Sequence, residues 1–358
     1  MNIYYCVFIL LLVFSFVEVL NNGKYRNTPI YSFRLAIVFF VLLYLAGFRE
    51  VGSDYISYEY YYDTINQDGN WLLNGLELGS EPAFSFLCHV AESYKWLVFT
   101  TSLLCISLLF YFLFKYSPLP FVSLLIFFSL FFFPTIMGQQ RQAFAILIGL
   151  FALMNIENKK HFVLLVAGAA MFHISALLLC LAPFIPKNYK SIWFYVTIFI
   201  GALIVRTVGI ELYLTIIGNL GGFAGDKLVY YSESGSAALG LNTSVLLRIF
   251  ILGICFFYKE SLPKDSNIAF LINCYFVGLI LYVALGFAPE LARRGSYYFA
   301  VLEMLIVAFL LKGLRPSIRL AFFFGFSLLE AIRLVGYLNN FPESSFNVNI
   351  LPYKNWLF

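Results

Sequence analysis

The sequence predicts an all-α polytopic membrane protein, read as a single transmembrane domain over residues 1–358, and three observations carry that reading. Hydrophobic residues make up 61% of the chain and charged ones 12%, whereas a soluble domain runs near 25% charged and about half apolar. Apolar runs recur at lengths that cross roughly 30 Å of hydrocarbon. The polar–apolar alternation of a membrane strand is missing, which leaves helices as the way to satisfy the backbone in lipid.

The first apolar run, 3–20, has no basic stretch before it and no A-x-A cleavage site, so it reads as a retained helix. Further spans are marked at 31–48, 95–114, 119–134, 136–155, 191–209, 243–258, 268–287, 296–311 and 318–335. The expected total is about 10–12 transmembrane helices. Two stretches fit less simply. Residues 81–94, "EPAFSFLCHVAESY", are short and carry Glu81, His89 and Glu92, the pattern of an amphipathic helix at the membrane surface. Residues 161–185 have "NKKH" before them and "PKNYK" after.

Short basic loops mark the cytoplasmic side. Here they are Lys24/Arg26, Lys159/Lys160, Lys187/Lys190, Lys259/Lys264 and "KGLRPSIR", Lys312–Arg319. All five share one side only if 161–185 is a re-entrant hairpin with "FHIS" (Phe172–Ser175) at its apex. The alternative is one ordinary span and a different helix count elsewhere. The hairpin reading places 49–94, 206–242, 288–295 and the tail 336–358 together outside. The loop 49–81 supports this, with Glu50, Asp54, Glu59, Asp63, Asp68, Glu77 and Glu81 against Arg49 alone. The Gly/Ser-rich stretch 218–242 reads as a long loop with the character of a lid. The six cysteines lie singly in apolar runs and read as packing residues.

Charges at the rim of a membrane span are expensive and seldom idle. Arg49 follows the second span, Arg141 opens a helix in "GQQRQAFA", and Arg293/Arg294 precede "GSYYFA". Each alone reads equally as an arginine snorkelling to lipid phosphates. The same expected face also holds Gln139, Gln140, Gln142, Tyr55, Tyr58, Tyr297 and Tyr298. Amides and phenols suit sugar hydroxyls, and arginine binds phosphate bidentately. The set therefore points to an anionic, hydroxyl-rich ligand with a tail in the bilayer. Asp54 and Glu81 are candidate general bases, or else solvated or arginine-paired carboxylates. His173, in "AMFHISALLL", is either a packing histidine or a proton carrier at the apex. Arg248 and Arg333 read as cavity-facing; Arg34, Glu303 and Glu330 read as structural partners. No nucleotide-binding, zinc-protease or serine-hydrolase motif occurs. No metal, cofactor or nucleic-acid partner is expected.

The succession "FREVGSDYISY", "EPAF", "GQQRQAFA", "MFHISALLL", "ARRGSYYF" and "LPYK" resembles the EpsG-like branch of the Wzy-type bacterial polysaccharide polymerases. Each motif alone is weak; their order over 47–354 is specific. The resemblance implies a multi-pass inner-membrane glycosyltransferase of GT-C-like architecture. Such an enzyme joins undecaprenyl-diphosphate-linked repeat units on the outer face, without a metal, into O-antigen, capsule or exopolysaccharide. Donor and acceptor are then lipid-linked glycans, membrane lipid surrounds the site, and a chain-length regulator is the protein partner to look for. Arg49, Gly52, Asp54, Tyr55 and Tyr58 match the family's R-x-x-G-x-D-Y-x-x-Y pattern. Glu81 matches its E-P glutamate, Gln140–Gln142 its R-Q helix start, and His173 with Ser175 its F-H-x-S-A element. The match at Arg293–Tyr297 is looser. On this reading Asp54, Glu81, His173 and Arg141 are catalytic. Arg49, Tyr55, Tyr58, Gln139, Gln140, Gln142, Arg248, Arg293, Arg294 and Tyr297 bind substrate. The arginines from distant segments are expected to meet at one outward-facing cleft on the diphosphate. A flippase, an O-antigen ligase and a membrane acyltransferase are the alternatives.

Overall fold

The computed structural model describes residues 2–67, 69–219, 242–263, 267–341 and 347–357. Asp68, Lys264 and most of the expected lid, 220–241, lie outside them. The chain forms two compact units, Met1–Leu179 with Val307–Phe358, and Cys180–Ile306. All regular structure among the described residues is helical, with two isolated β-bridges.

Unit 1 begins with α1 (Ile3–Leu20) and α2 (Pro29–Gly47). Asn2 and Thr28 cap their starts by accepting from Tyr4 N and Tyr31 N, and Pro29 supplies a preset φ where no donor is needed. Three short helices follow, α3 (Tyr55–Ile65), α4 (Trp71–Glu77) and α5 (Pro82–Val90). Then come α6 (Tyr94–Tyr116) and α7 (Pro120–Phe127), which widens into a π-helical stretch, Phe128–Ile136, around Pro134. Proline removes a ladder donor, and the wider turn absorbs it: Gln139 N reaches back to Pro134 O at 3.0 Å. Next are α8 (Gln140–Met154) and α9 (Lys159–Ala170), an antiparallel pair whose far ends meet where Phe144 stacks on Phe172, centroids 4.6 Å apart. At Met171–His173 the α-helix stops, and a 3₁₀ stretch, Ile174–Phe184, continues. The break falls on the "FHIS" expected as a hairpin apex.

Unit 2 holds α10 (Ile192–Asn219), α11 (Thr243–Phe257), α12 (Ile268–Ala284) and α13 (Pro289–Ala300). α14 (Glu303–Gly313) leads back to unit 1, where α15 (Pro316–Asn339) packs beside α1 through Phe16 and Phe323, 6.1 Å between ring centres. Gly278 permits the close approach of α12 to α13; a Cβ there would sit 2.9 Å from that of Phe299. Five helical stretches are long and apolar enough to cross a membrane among the described residues: Ile3–Leu20, Pro29–Gly47, Tyr94–Tyr116, Ile192–Gly209 and Pro289–Gly313. Other apolar segments are shorter, because turns at Pro134–Gln139 and Leu285–Ala288 cut the runs. Phe33, Phe40, Leu164 and Leu328 are exposed, as side chains facing acyl chains would be.

Within unit 1 the basic loops collect at one end. Lys312 donates to Asn22 O, and Arg26 Nη1 donates to Ser117 O at 2.9 Å. Phe151 packs on Tyr111, Phe112 and Tyr116, which brings the turn before Lys159 to the same end. The opposite end carries the acidic, tyrosine-rich loop and the C-terminal tail. There Gly52 N donates to Val348 O and Glu50 N to Lys354 O, both 2.9 Å. Tyr353 of "LPYK" donates to Tyr44 O at 3.1 Å.

Candidate functional site

Three separate sequence segments converge at the acidic end of unit 1. Glu81 is the N-cap residue of α5, extended before Pro82 (φ −74°, ψ 147°). Arg141 lies in the first turn of α8. His173 sits where α9 has just ended, and Ala83 N donates to Met171 O at 3.1 Å, fastening α5 to that end. The antiparallel α8–α9 pair brings Arg141 and His173 to one level, and α5 inserts Glu81 between them.

The Glu81 carboxylate bridges the other two groups. Oε2 accepts from Arg141 Nη1 at 2.8 Å, and Oε1 accepts from Ile174 N at 3.2 Å. Oε1 also lies 3.6 Å from His173 Nδ1. Nδ1 in turn accepts from Ser175 N at 3.3 Å and lies 3.1 Å from Ser175 Oγ. With Nδ1 accepting, a neutral ring carries its proton on Nε2. The side chains of Arg141 and Glu81 are 14% exposed and that of His173 is 18%. The group is thus neither sealed nor on the surface, a position in which charges interact strongly.

Aromatic rings line the guanidinium. Its carbon stands 4.9 Å from the Tyr61 ring centre, 5.8 Å from Tyr58 and 5.9 Å from Phe84, cation–π distances. Burial pushes the Tyr58 phenol up to about 12, against the opposing pull of Arg141, so it is a hydrogen-bond donor at neutral pH. Burial raises Tyr55 likewise to about 12. Arg141 Nε is buried without a hydrogen-bond partner among the described residues, and so are both amide atoms of Gln140 and Oε1 of Gln139. Gln142 is fully buried. Asp54 is connected at one remove: it precedes α3 in a left-handed conformation (φ 57°), its N–H donates to Asn347 Oδ1 at 3.0 Å, and its charge acts on the Tyr58 phenol.

Arg49 lies elsewhere. Expected on the ligand-facing wall, it is wholly buried. Its Nη1 donates to Ala46 O at 2.8 Å and its Nε to Met137 O at 3.1 Å. Those carbonyls end α2 and the π-helical stretch, where backbone acceptors lack helical partners and both dipoles turn negative. One guanidinium therefore closes two helix ends. Gly52 (φ 135°) passes so near that a Cβ would meet Met137 O at 2.1 Å. In this segment the R-x-x-G spacing is a packing device.

Unit 2 has its own cationic group. Arg248 Cζ lies 4.9 Å over the Tyr282 ring, and Asn242 Nδ2 donates to Tyr282 OH at 3.0 Å. The charges of Arg248, Arg293 and Arg294 act on Tyr297. Glu290, one turn earlier, pairs with Arg293 and with Arg294 Nε, the latter at 3.3 Å. The intramembrane acids read as structural partners are so placed: Glu303 accepts from Tyr275 OH at 2.5 Å, and Glu330 pairs with Arg333 at 2.7 Å.

Sequence reasoning missed Tyr61, Glu290 and Asn347. Tyr61 stands three residues after Tyr58 on the same face of α3, a spacing visible in "YEYYYD". Glu290 sits at i−3 and i−4 from the two arginines. Asn347 has no local signal, since its partner is distant in sequence.

The model of the EpsG family matches residues 32–355, nearly the whole chain and every residue of the unit 1 group. No curated protein and no solved structure matches the chain. By that match the chain belongs to the EpsG family.

Proposed function

We propose that the chain is a glycosyltransferase that polymerises lipid-linked oligosaccharide repeat units, with the Arg141–Glu81–His173 group as its reaction site. Membership of the EpsG family supports this class of activity, in keeping with the polysaccharide polymerases its motifs resemble. The observation that carries the reading is the meeting of three distant motifs around one largely buried arginine. The donor is a glycan on undecaprenyl diphosphate, and the acidic end of unit 1 faces the outside of the inner membrane. Arg141 binds the diphosphate; Gln140, Gln139 and Tyr58 supply partners for phosphate oxygens or sugar hydroxyls, since buried polar groups are ordinarily bonded.

In the transfer, a hydroxyl of the acceptor glycan attacks the anomeric carbon of the donor and the bond to diphosphate breaks. Negative charge grows on the departing lipid diphosphate, and a fixed guanidinium in a low-dielectric site stabilises that charge more in the transition state than before it. The acceptor proton passes to Nδ1 of His173, which holds the ring's one lone pair and gives up its contact with Ser175, and the Glu81 carboxylate 3.6 Å away meets the imidazolium charge. Glu81 suits a positioning role better, because both its oxygens are engaged. It holds Arg141 and the His173 backbone turn together. Asp54 contributes through the Tyr58 phenol, and Arg248, Arg293, Arg294 and Tyr297 are substrate-binding residues of unit 2.

The experiment is polysaccharide length in cells producing Arg141→Ala, His173→Ala or wild-type protein at equal levels. Long polymer disappears in both variants on this account. Its persistence in both would remove the assignment, and a single repeat unit transferred to another lipid would mark a ligase instead.

A further inference from the structure

We propose that unit 1 also carries a site for one anionic phospholipid, at its basic end between α1, α2 and the start of α7. A cavity of about 420 Å³ opens there, well removed from Glu81 and Arg141 at the acidic end. Its lining divides into two chemistries. Phe14, Val17, Ile30 and Phe121 form an apolar half, and Arg26 and Arg34 form a cationic rim. Ile30 is 64% exposed, on the same helix as the exposed Phe33 and Phe40, so the cavity opens on an apolar outer surface.

The rim has charge to offer. Arg34 rests 5.7 Å over the Phe14 ring, a contact that leaves its N–H groups free to bond a ligand. Arg26 uses Nη1 on Ser117 O, with its carbon 4.9 Å from the Phe114 ring centre. Lys24, Arg26 and Arg319 act on Lys312, as does Glu18 with the opposite sign; Lys312 donates to Asn22 O, between the lining residues Asn21 and Gly23. The acid that lines the cavity, Glu18, is turned to the protein. It accepts from Tyr31 OH at 2.6 Å, Phe121 N at 2.9 Å and Val122 N at 3.2 Å. Arg26 also feels its charge, and with Arg26 and Arg34 against this one acid the lining carries a net positive charge.

A free phosphate would satisfy the arginines and leave the apolar half in contact with water. A phosphodiester carrying acyl chains satisfies both halves at once. Basic pockets between membrane helices on the cytoplasmic side have this combination, in the leaflet richest in anionic lipid. The ligand is therefore an anionic glycerophospholipid with its headgroup at Arg26 and Arg34.

Native mass spectrometry of the purified full chain, titrated with phosphatidylglycerol and separately with phosphatidylcholine, tests this. Phosphatidylglycerol should be retained in preference, and excess glycerol 3-phosphate should not displace it. Arg34→Gln should weaken retention about fivefold, the effect of one cation at a membrane surface, while Arg34→Lys keeps most of it. Val17→Phe fills the apolar half and should expel the lipid with every cation in place. Equal retention of phosphatidylcholine, unchanged binding in both Arg34→Gln and Val17→Phe, or displacement by glycerol 3-phosphate would each overturn the proposal.

Discussion

Arg49 and Arg141 lie at the same end of unit 1, each beside a tyrosine-rich stretch, and the fold uses them in opposite ways. Arg49 is enclosed, and its hydrogen bonds end on two backbone carbonyls. Arg141 keeps 14% of its side chain exposed, shares one carboxylate with His173 and stands among three aromatic rings. The difference teaches that an arginine at a helix C-terminus is bound by the backbone, whereas one at a helix N-terminus must find its anions elsewhere. The first turn of α8 presents N–H groups and a positive dipole end. Arg141 there is met by Glu81 at 2.8 Å and by Gly79 O at 3.4 Å, and a phosphate is the further anion that the proposed function gives it.

The comparison is broken most forcefully at Arg49. Arg49→Ala strands two buried carbonyls and should cost about 3 kcal/mol or more, read as a lower thermal midpoint and little folded protein in detergent. Arg49→Lys should rescue poorly, because a point charge cannot reach both helix ends at once. A normal midpoint for Arg49→Ala would show that the two helix ends do not need it, and one for Arg49→Lys that a single ammonium suffices. Arg141→Ala should do the reverse, folding normally while polymerisation falls on the order of 10²–10³-fold. Glu81→Gln should come next. The site keeps its hydrogen-bonding shape but loses the charge that positions Arg141, and a loss of about tenfold in rate with an unchanged midpoint is expected. Tyr61→Leu should reduce the rate by a few-fold, the scale of one cation–π contact, and Tyr61→Phe should restore it.

The smallest effect at neutral pH belongs to Tyr58→Phe, which keeps the ring beside Arg141. Burial raises the Tyr58 phenol from 10.0 to about 12. Its contribution to stability is therefore complete below pH 10 and is lost as pH rises through the window up to about 12. Thermal midpoints followed from pH 9 to 12 should fall less steeply in Tyr58→Phe than in wild type. Identical profiles would contradict the buried environment given to this phenol.

Much of unit 1 was legible in the sequence because its signals are local. Caps at Asn2, Thr28 and Ser93, proline at the first helical position and uninterrupted apolar runs fix most helix starts. The short helix expected at 81–94 is found as Pro82–Val90, ending in an extended Ala91 before α6 begins at Tyr94, and the helix break at Met171–His173 falls within the stretch expected as an apex. Glu81, Arg141 and His173 were each legible as chemistry-bearing residues in order along the chain. Their meeting was not, since it depends on the α8–α9 pair placing two helix ends level. Arg49 was misplaced for the same reason: nothing near it reveals that Met137, 88 positions away, ends a helix with an unpaired carbonyl. The sequence separates 119–134 from 136–155, and Pro134 falls at that boundary; the π-helical widening around it has no signal beyond the proline.

The central claim rests on Arg141 acting on a diphosphate. Its most direct test is purified protein in lipid vesicles, supplied with synthetic oligosaccharide on a polyprenyl diphosphate, comparing wild type with Arg141→Ala at equal thermal midpoints. The account predicts long glycan from wild type, and from the variant only unextended repeat units with weakened binding of the lipid diphosphate. Glycan of wild-type length from a folded Arg141→Ala protein would contradict it.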